Sequence, residues 1–371
     1  MTIVRYSKLL TSIVLIIFLI TAVLLLGGCG NKPAPKPLPD VLGSAETPVP
    51  PGAPGNVVMP PRMVIGYYEN PWPGTPDNTG SLPSMKAFGK SMSGVGPFWY
   101  RATKDGTLES KESQVVSDAA RDLGLKVYPL ITNKTGSTEQ VLGDPAIRSK
   151  VIDSIVKLVQ EKQYDGVNID FELLAPKHRD DLTAFMAELY PKMKGMNKTL
   201  IISVFPQVDV SEDVSGAYNY PELAKNADFL QIMTYDHHWS TSKPGAIAAI
   251  DWYEKNIKYA IDNCGGPHKV LIGVGLYGYD WVVGKDGETI TYVDAITRAE
   301  KNGAKIMYDE TSQAPYFKYG DHEVWLENDK SIAAKLDVIA KYNPAGIALW
   351  RLGQEQPEIW PLIDSKFPKQ Q

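Results

Sequence analysis

Asp165-Gly166-Val167-Asn168-Ile169-Asp170-Phe171-Glu172 is the stretch on which the reading of this chain turns. Successive side chains of an extended strand point to opposite faces, so Asn168, Asp170 and Glu172 share one face and Val167, Ile169 and Phe171 the other. The apolar face belongs against helices. The polar face then turns toward the inside of a closed sheet, where neighbouring carboxyls are costly to bury. Crowded like charges push one pKa upward, which favours a protonated Glu172, the state a general acid needs.

On both sides of this strand, short runs rich in apolar and β-branched residues recur with helix-length segments between them. Eight are counted, at about 63–68, 94–100, 125–131, 164–172, 199–206, 228–236, 269–277 and 345–352. Between them, segments such as 146–162 carry apolar residues at helical spacing. Eight such units predict an α/β fold, a (β/α)8 TIM barrel over 62–279 and 329–367, with Glu172 at the C-terminal mouth where barrel enzymes place their chemistry. The stretch 280–328 is too long for one crossover helix. It reads as strand and turn with one helix near 293–302, a small α+β insertion between strands seven and eight.

Of the 371 residues, 43 % are hydrophobic and 22 % charged, an ordinary globular balance with a net charge of −5. Arg5 and Lys8 are the only charges in the first 29 residues. Setting them aside lowers the basic count from 38 to 36 against 43 acids, so the body carries −7. An acidic body argues against nucleic acid as a partner. Arg5 and Lys8 precede an apolar run from Leu9 to Leu26 that ends in Leu26-Gly27-Gly28-Cys29, a signal-peptide pattern over 1–29. That ending resembles a bacterial lipobox, in which Cys29 takes the lipid and becomes the mature N-terminus. The alternative is an uncleaved transmembrane helix; either way the body is expected outside the membrane, lipid-anchored to the bacterial cell membrane in the favoured reading. With Cys29 lipidated, Cys264 has no partner and no disulfide is expected. From Lys32 to Pro61 ten of thirty residues are proline, so 30–61 reads as a tether that spans up to roughly 90 Å in polyproline II.

The acidic strand resembles the Asp-Gly-x-Asp-x-Asp-x-Glu signature of glycoside hydrolase family 18, the chitinase-like family. Met233-Thr234-Tyr235-Asp236 resembles the family's Met-x-Tyr-Asp, and Trp350 the tryptophan beneath the reactive sugar. Leu276-Tyr277-Gly278-Tyr279-Asp280-Trp281 and Tyr67 also have family counterparts, and the resemblance covers about 63–363. It implies Glu172 as the acid, with Asp170 and Tyr235 as its catalytic companions. It assigns Tyr67, Asp165, Asn168, Met233, Asp236, Tyr277 and Trp350 to substrate binding. Asn168 departs from the signature's middle aspartate, which is expected to alter the pKa of Asp170 without removing the acid. A similar Asn-Ile-Asp-Phe-Glu pattern is associated with the branch acting on spore and cell-wall peptidoglycan. The family's strand-three Ser-x-Gly-Gly element is not evident around Leu130-Ile131-Thr132-Asn133.

The resemblance implies retaining, substrate-assisted hydrolysis of a β-linked N-acetylglucosamine-containing polysaccharide at the cell surface, with the sugar's own acetamide as nucleophile. Trp99, Trp239 and Trp281 are candidates for neighbouring sugar subsites. No cofactor is expected, and a monomer is. His237-His238 invites a metal reading, but adjacent residues on an extended segment point apart and no third ligand is spaced to join them. The rival from another class is a non-catalytic, surface-displayed sugar-binding lipoprotein. Retention of Glu172, Asp170 and Tyr235 together argues against it.

Overall fold

The computed structural model describes residues 62–70 and 80–368. The signal peptide, Cys29 and the tether over 30–61 lie outside the described residues. The first seven barrel strands are β1 (Met63–Tyr68), β2 (Gly94–Ala102), β3 (Leu130–Asn133), β4 (Gly166–Asp170), β5 (Thr199–Val204), β6 (Phe229–Ile232) and β7 (Val270–Gly275). Each pairs in parallel with the next. An insertion then contributes β8 (Gly278–Val282), β9 (Glu288–Ile290), β10 (Met307–Asp309), β11 (Ala314–Tyr319) and β12 (His322–Trp325) before the chain returns in β13 (Gly346–Trp350). Strand β13 lies between β7 and β1, which closes the eight-stranded parallel barrel.

Helices α1 (Leu82–Phe88), α2 (Gln114–Asp122), α3 (Pro145–Lys162), α4 (Arg179–Gly195), α5 (Tyr220–Lys225) and α6 (Ile250–Asn263) alternate with the strands. After α7 (Tyr292–Lys301) in the insertion come α8 (Asp329–Tyr342) and α9 (Ile359–Lys366). Their starts are written locally. Asp144 accepts from the backbone N–H groups of Ala146 and Ile147 while Pro145 takes the first helical position of α3, where no N–H is needed. Helix α4 buries Leu182, Phe185, Met186, Leu189 and Met193, a stripe at helical spacing. That stripe meets the outward face of β4, with the Phe171 and Phe185 rings 5.1 Å apart. The apolar half of the acidic stretch thus anchors the strand, and truncating Phe171 to Ala would cost roughly 3–5 kcal/mol.

Strand three departs from the expected 125–131. Lys126–Val127 pairs with β2 as a separate piece, and the ladder resumes at Leu130–Asn133. Pro129 lies between them, and it has no N–H to donate. The insertion also starts earlier than 280. Gly278 already pairs with Ile290 in an antiparallel sheet of order β9-β8-β12-β11-β10. Where β8 passes β12, a Cβ on Gly278 would stand 2.2 Å from the Trp325 carbonyl oxygen, so only glycine allows the approach.

Candidate active site

Strand alternation and barrel register together build the site. Asp170 points inward from β4, Ser203 from β5 and Gln231 from β6, where Ser203 and Gln231 are register partners. Tyr67 rises from β1 and Trp350 ends β13. With Leu130, Glu172, Phe205, Met233, Tyr235 and Asp236 these side chains line a cavity of about 160 Å³ at the C-terminal mouth. Among the described residues no Lys, Arg or His lines it, so three carboxyls meet there without a cation.

Glycines make the room for the large rings. A Cβ on Gly96 would lie 2.7 Å from the Tyr67 ring, and one on Gly273 would lie 2.9 Å from the Tyr235 ring and 2.8 Å from Gln231 Nε2. Trp350 is flanked by Tyr67, with ring centres 5.5 Å apart, and by Phe98, edge-on at 6.3 Å. That flanking fixes the plane of the indole, whose free side forms one wall of the cavity.

Glu172 sits two residues beyond the end of β4 and is half-buried. Its backbone is clamped by Asn133, which accepts from Glu172 N–H at 2.9 Å and donates through Nδ2 to its carbonyl at 3.0 Å. The next residue, Leu173, takes φ +55°, a left-handed conformation unfavourable for a bulky side chain. Such strain gathers where surrounding structure over-determines the chain, as at catalytic positions. Burial, then the charges of Asp170 and Asp236, hold the Glu172 carboxyl well above the usual glutamate range. That shift favours the protonated form of the carboxyl.

Burial also raises Asp170, while hydrogen bonds from Ser203 and Glu172 pull it back. Burial raises Asp236 too, opposed by two phenols: Tyr277 and Tyr279 both donate to Asp236 Oδ1, the latter at 3.1 Å. Tyr235 is held far above its ordinary pKa, first by burial, so its hydroxyl stays a donor. Asn168 is buried beneath the cavity, donating through Nδ2 to the Tyr67 hydroxyl at 2.7 Å and to Ser203 Oγ at 3.1 Å.

The structure brings Tyr67, Asp170, Glu172, Met233, Tyr235, Asp236 and Trp350 together around one space. Two residues assigned to substrate binding act behind it: Asn168 supports Tyr67 and Ser203, and Tyr277 supports Asp236. Asp165 is a correction. It precedes β4 at the opposite, N-terminal end of the barrel, where its carboxylate accepts from Val127 N–H at 2.8 Å. A strand of this length spans too far for both of its ends to reach one sugar.

Two of the three tryptophans offered as subsites are also corrected. Trp99 and Trp281 are each 2 % exposed, their indole N–H groups turned to Asn70 Oδ1 and the Trp239 carbonyl. Trp239, 40 % exposed, keeps a face for a ligand. The His237 ring stacks on Trp252 at 4.6 Å, and His238 Nδ1 lies 3.1 Å from the Lys243 carbonyl oxygen.

Sequence reading gave no role to Asn133, Ser203, Phe205, Gln231 or Tyr279, although the stretches that hold Asn133 and Tyr279 were noted. Ser203 and Gln231 did leave a signal: Gln231 is the lone polar residue of its strand and Ser203 the lone one of its strand after the first position, each pointing inward.

Residues 64–355 match the profile of a family described as glycosyl hydrolases family 18. An uncharacterized glycosylase, YvbX, of Bacillus subtilis is 28 % identical over 319 residues, which cover 81 % of this chain and 90 % of that protein. The cortical fragment-lytic enzyme of the same organism is 28 % identical over 291 residues, covering 74 % and 67 %. Among solved structures, the Bacillus cereus spore cortex-lytic enzyme SleL superposes with a TM-score of 0.77 at 26 % identity, over 84 % of this chain and 75 % of that one. A chitinase from Chromobacterium violaceum does so with a TM-score of 0.73 at 27 % identity, over 82 % and 98 %. With the profile spanning the barrel and its insertion and the carboxyls gathered at the barrel's mouth, this chain belongs to glycosyl hydrolases family 18 and is a glycoside hydrolase.

Proposed function

We propose that this enzyme hydrolyses the β-linked N-acetylglucosamine glycan of cell-wall or spore-cortex peptidoglycan, with retention and with the substrate's acetamide as nucleophile, while lipid-anchored outside the cell through Cys29. The observation that carries the mechanism is that Asp170 and Glu172, two residues apart at the end of one strand, line one small cavity together with Tyr235 and Trp350. Carboxyls that flank a sugar as acid and nucleophile stand about 5–5.5 Å apart, and an inverting pair about 6.5–9.5 Å. Two carboxyls presented by neighbouring positions at the end of one strand meet a sugar from the same side and do not flank it, so neither is placed as a nucleophile opposite the other.

In this reading the scissile sugar stacks on Trp350. Glu172 gives its proton to the glycosidic oxygen as that bond breaks, and the acetamide oxygen closes on the anomeric carbon. Asp170 takes the acetamide N–H and offsets the positive charge of the resulting oxazolinium. The Tyr235 hydroxyl hydrogen-bonds the acetamide oxygen and aligns it. Water, deprotonated by Glu172, then opens the ring and restores the acid. The relatives active on spore cortex favour peptidoglycan over chitin as polymer. Mass analysis of products from purified sacculi, cortex fragments and chitin tests this. Release of reducing N-acetylglucosamine ends from peptidoglycan is the expected result; cleavage of chitin alone would move the substrate, and no cleavage of any would favour a sugar-binding protein.

A further inference from the structure

Strand β8 opens the insertion, and its alternation divides it between two tasks. Tyr279 turns to the barrel and donates to Asp236 Oδ1 at 3.1 Å, beside the bond from Tyr277 to the same oxygen. Asp280, 2 % exposed, turns the other way into the insertion. There it accepts from Arg298 Nη1 on α7, from the Tyr319 hydroxyl on β11 at 2.7 Å, and lies 2.7 Å from His322 Nδ1 on β12. Three elements of the insertion thus grip the residue next to Tyr279. Asp236 itself has φ +58°, so its own backbone is held in an uncommon conformation while both phenols fix one carboxylate oxygen.

We propose that Tyr279 is a positioning residue through which the insertion fixes Asp236 in its ionised form, so that the proton of this cation-free pocket stays on Glu172. The inference rests on Glu172 being the acid of the proposed reaction. Asp236 faces Tyr277 and Tyr279 from the β7–β8 segment, its neighbour Tyr235, and Glu172. Glu172 in turn shares the cavity lining with Asp170, Asp236 and Tyr235, and the Tyr218 hydroxyl donates to the carbonyl of Phe171, the residue before it. All are acids or phenols, so the sharing of protons among them is decided by hydrogen-bond donors. Two phenols on Asp236 Oδ1 stabilise its charge, and that charge raises the proton affinity of Glu172. Without one of them Asp236 competes for the proton, and Glu172 ionises at lower pH.

The test is the pH dependence of kcat for Tyr279→Phe on two substrates, an N-acetylglucosamine oligomer and its activated aryl glycoside. The sugar leaving group needs the proton of Glu172, whereas a nitrophenolate leaves with little help. The alkaline limb should move about one pH unit toward acid. Above neutrality the oligomer rate should fall roughly tenfold and the aryl glycoside far less, with KM little changed. An unmoved limb, or equal losses on both substrates, overturns the proposal and leaves Tyr279 a packing residue. Should Tyr279→Phe fail to fold, a ring-fluorinated tyrosine at 279 keeps the shape and donates more strongly, and must move the limb the opposite way; no movement overturns the proposal. A wild-type enzyme inactive on both substrates would instead sink the proposed function, whereas an active one with an unmoved limb sinks only the role of Tyr279.

Discussion

The Asn168 amide donates to the Tyr67 hydroxyl at 2.7 Å, one inward position below Asp170 on β4. A neutral side chain therefore supports the floor where the family signature has an aspartate. Restoring it makes a clear prediction. Asn168→Asp adds a buried carboxyl beside Asp170, so the acid limb of kcat should move to higher pH as Asp170 becomes harder to ionise. A carboxyl whose folded pKa is raised costs nothing while protonated and destabilises as pH rises through that pKa. Thermal melts should match wild type near pH 4 and show a loss of about 1–3 kcal/mol at pH 8. Equal melts at both pH values would show that the site accepts the charge without penalty.

Glu172→Gln keeps the shape and removes the proton. We expect kcat on N-acetylglucosamine oligomers to fall about 10²–10⁴-fold with little change in sugar binding. Retention of more than roughly a tenth of wild-type activity would move the acid role elsewhere. Because burial and Asp170 raise the Glu172 pKa, folding is favoured by its protonated form, and that contribution is lost as pH rises through the folded value. The glutamine variant should therefore lose less stability than wild type as pH rises above the ordinary glutamate range in the same melts.

A thiazoline analogue of N-acetylglucosamine mimics the cyclised intermediate. It should inhibit competitively and at least about a hundredfold more tightly than the parent sugar. A substrate without the N-acetyl group should hardly react, and Asp170→Asn should lose most activity because it no longer balances the charged ring. Trapping of a covalent sugar ester on an aspartate or glutamate would defeat the substrate-assisted mechanism.

Anchoring is tested by Cys29→Ser followed by fractionation. Loss of the lipid-bearing thiol should shift the protein from the membrane to the soluble fraction. Sedimentation with membranes despite the change would favour an uncleaved N-terminal helix.

What the sequence determined by itself is local and periodic. The two-residue alternation of 165–172 assigned Asp170 and Glu172 to one face and Phe171 to the other, because a strand has no other way to present them. Regular spacing of eight apolar runs determined the barrel, since parallel neighbours must be joined by crossover helices. The tertiary structure decided which distant groups complete the site. Asn133 clamps Glu172 across 39 residues, and Tyr279 reaches Asp236 across 43. Neither pair leaves a mark in spacing, because the barrel's closure and the insertion's docking bring them together. The same long-range packing buried Trp99 and Trp281, left Trp239 open, and separated Asp165 from the cavity by the length of its own strand. Residue type proposes a chemistry, but burial and partners set the proton affinities that carry it out, and those depend on three-dimensional neighbours.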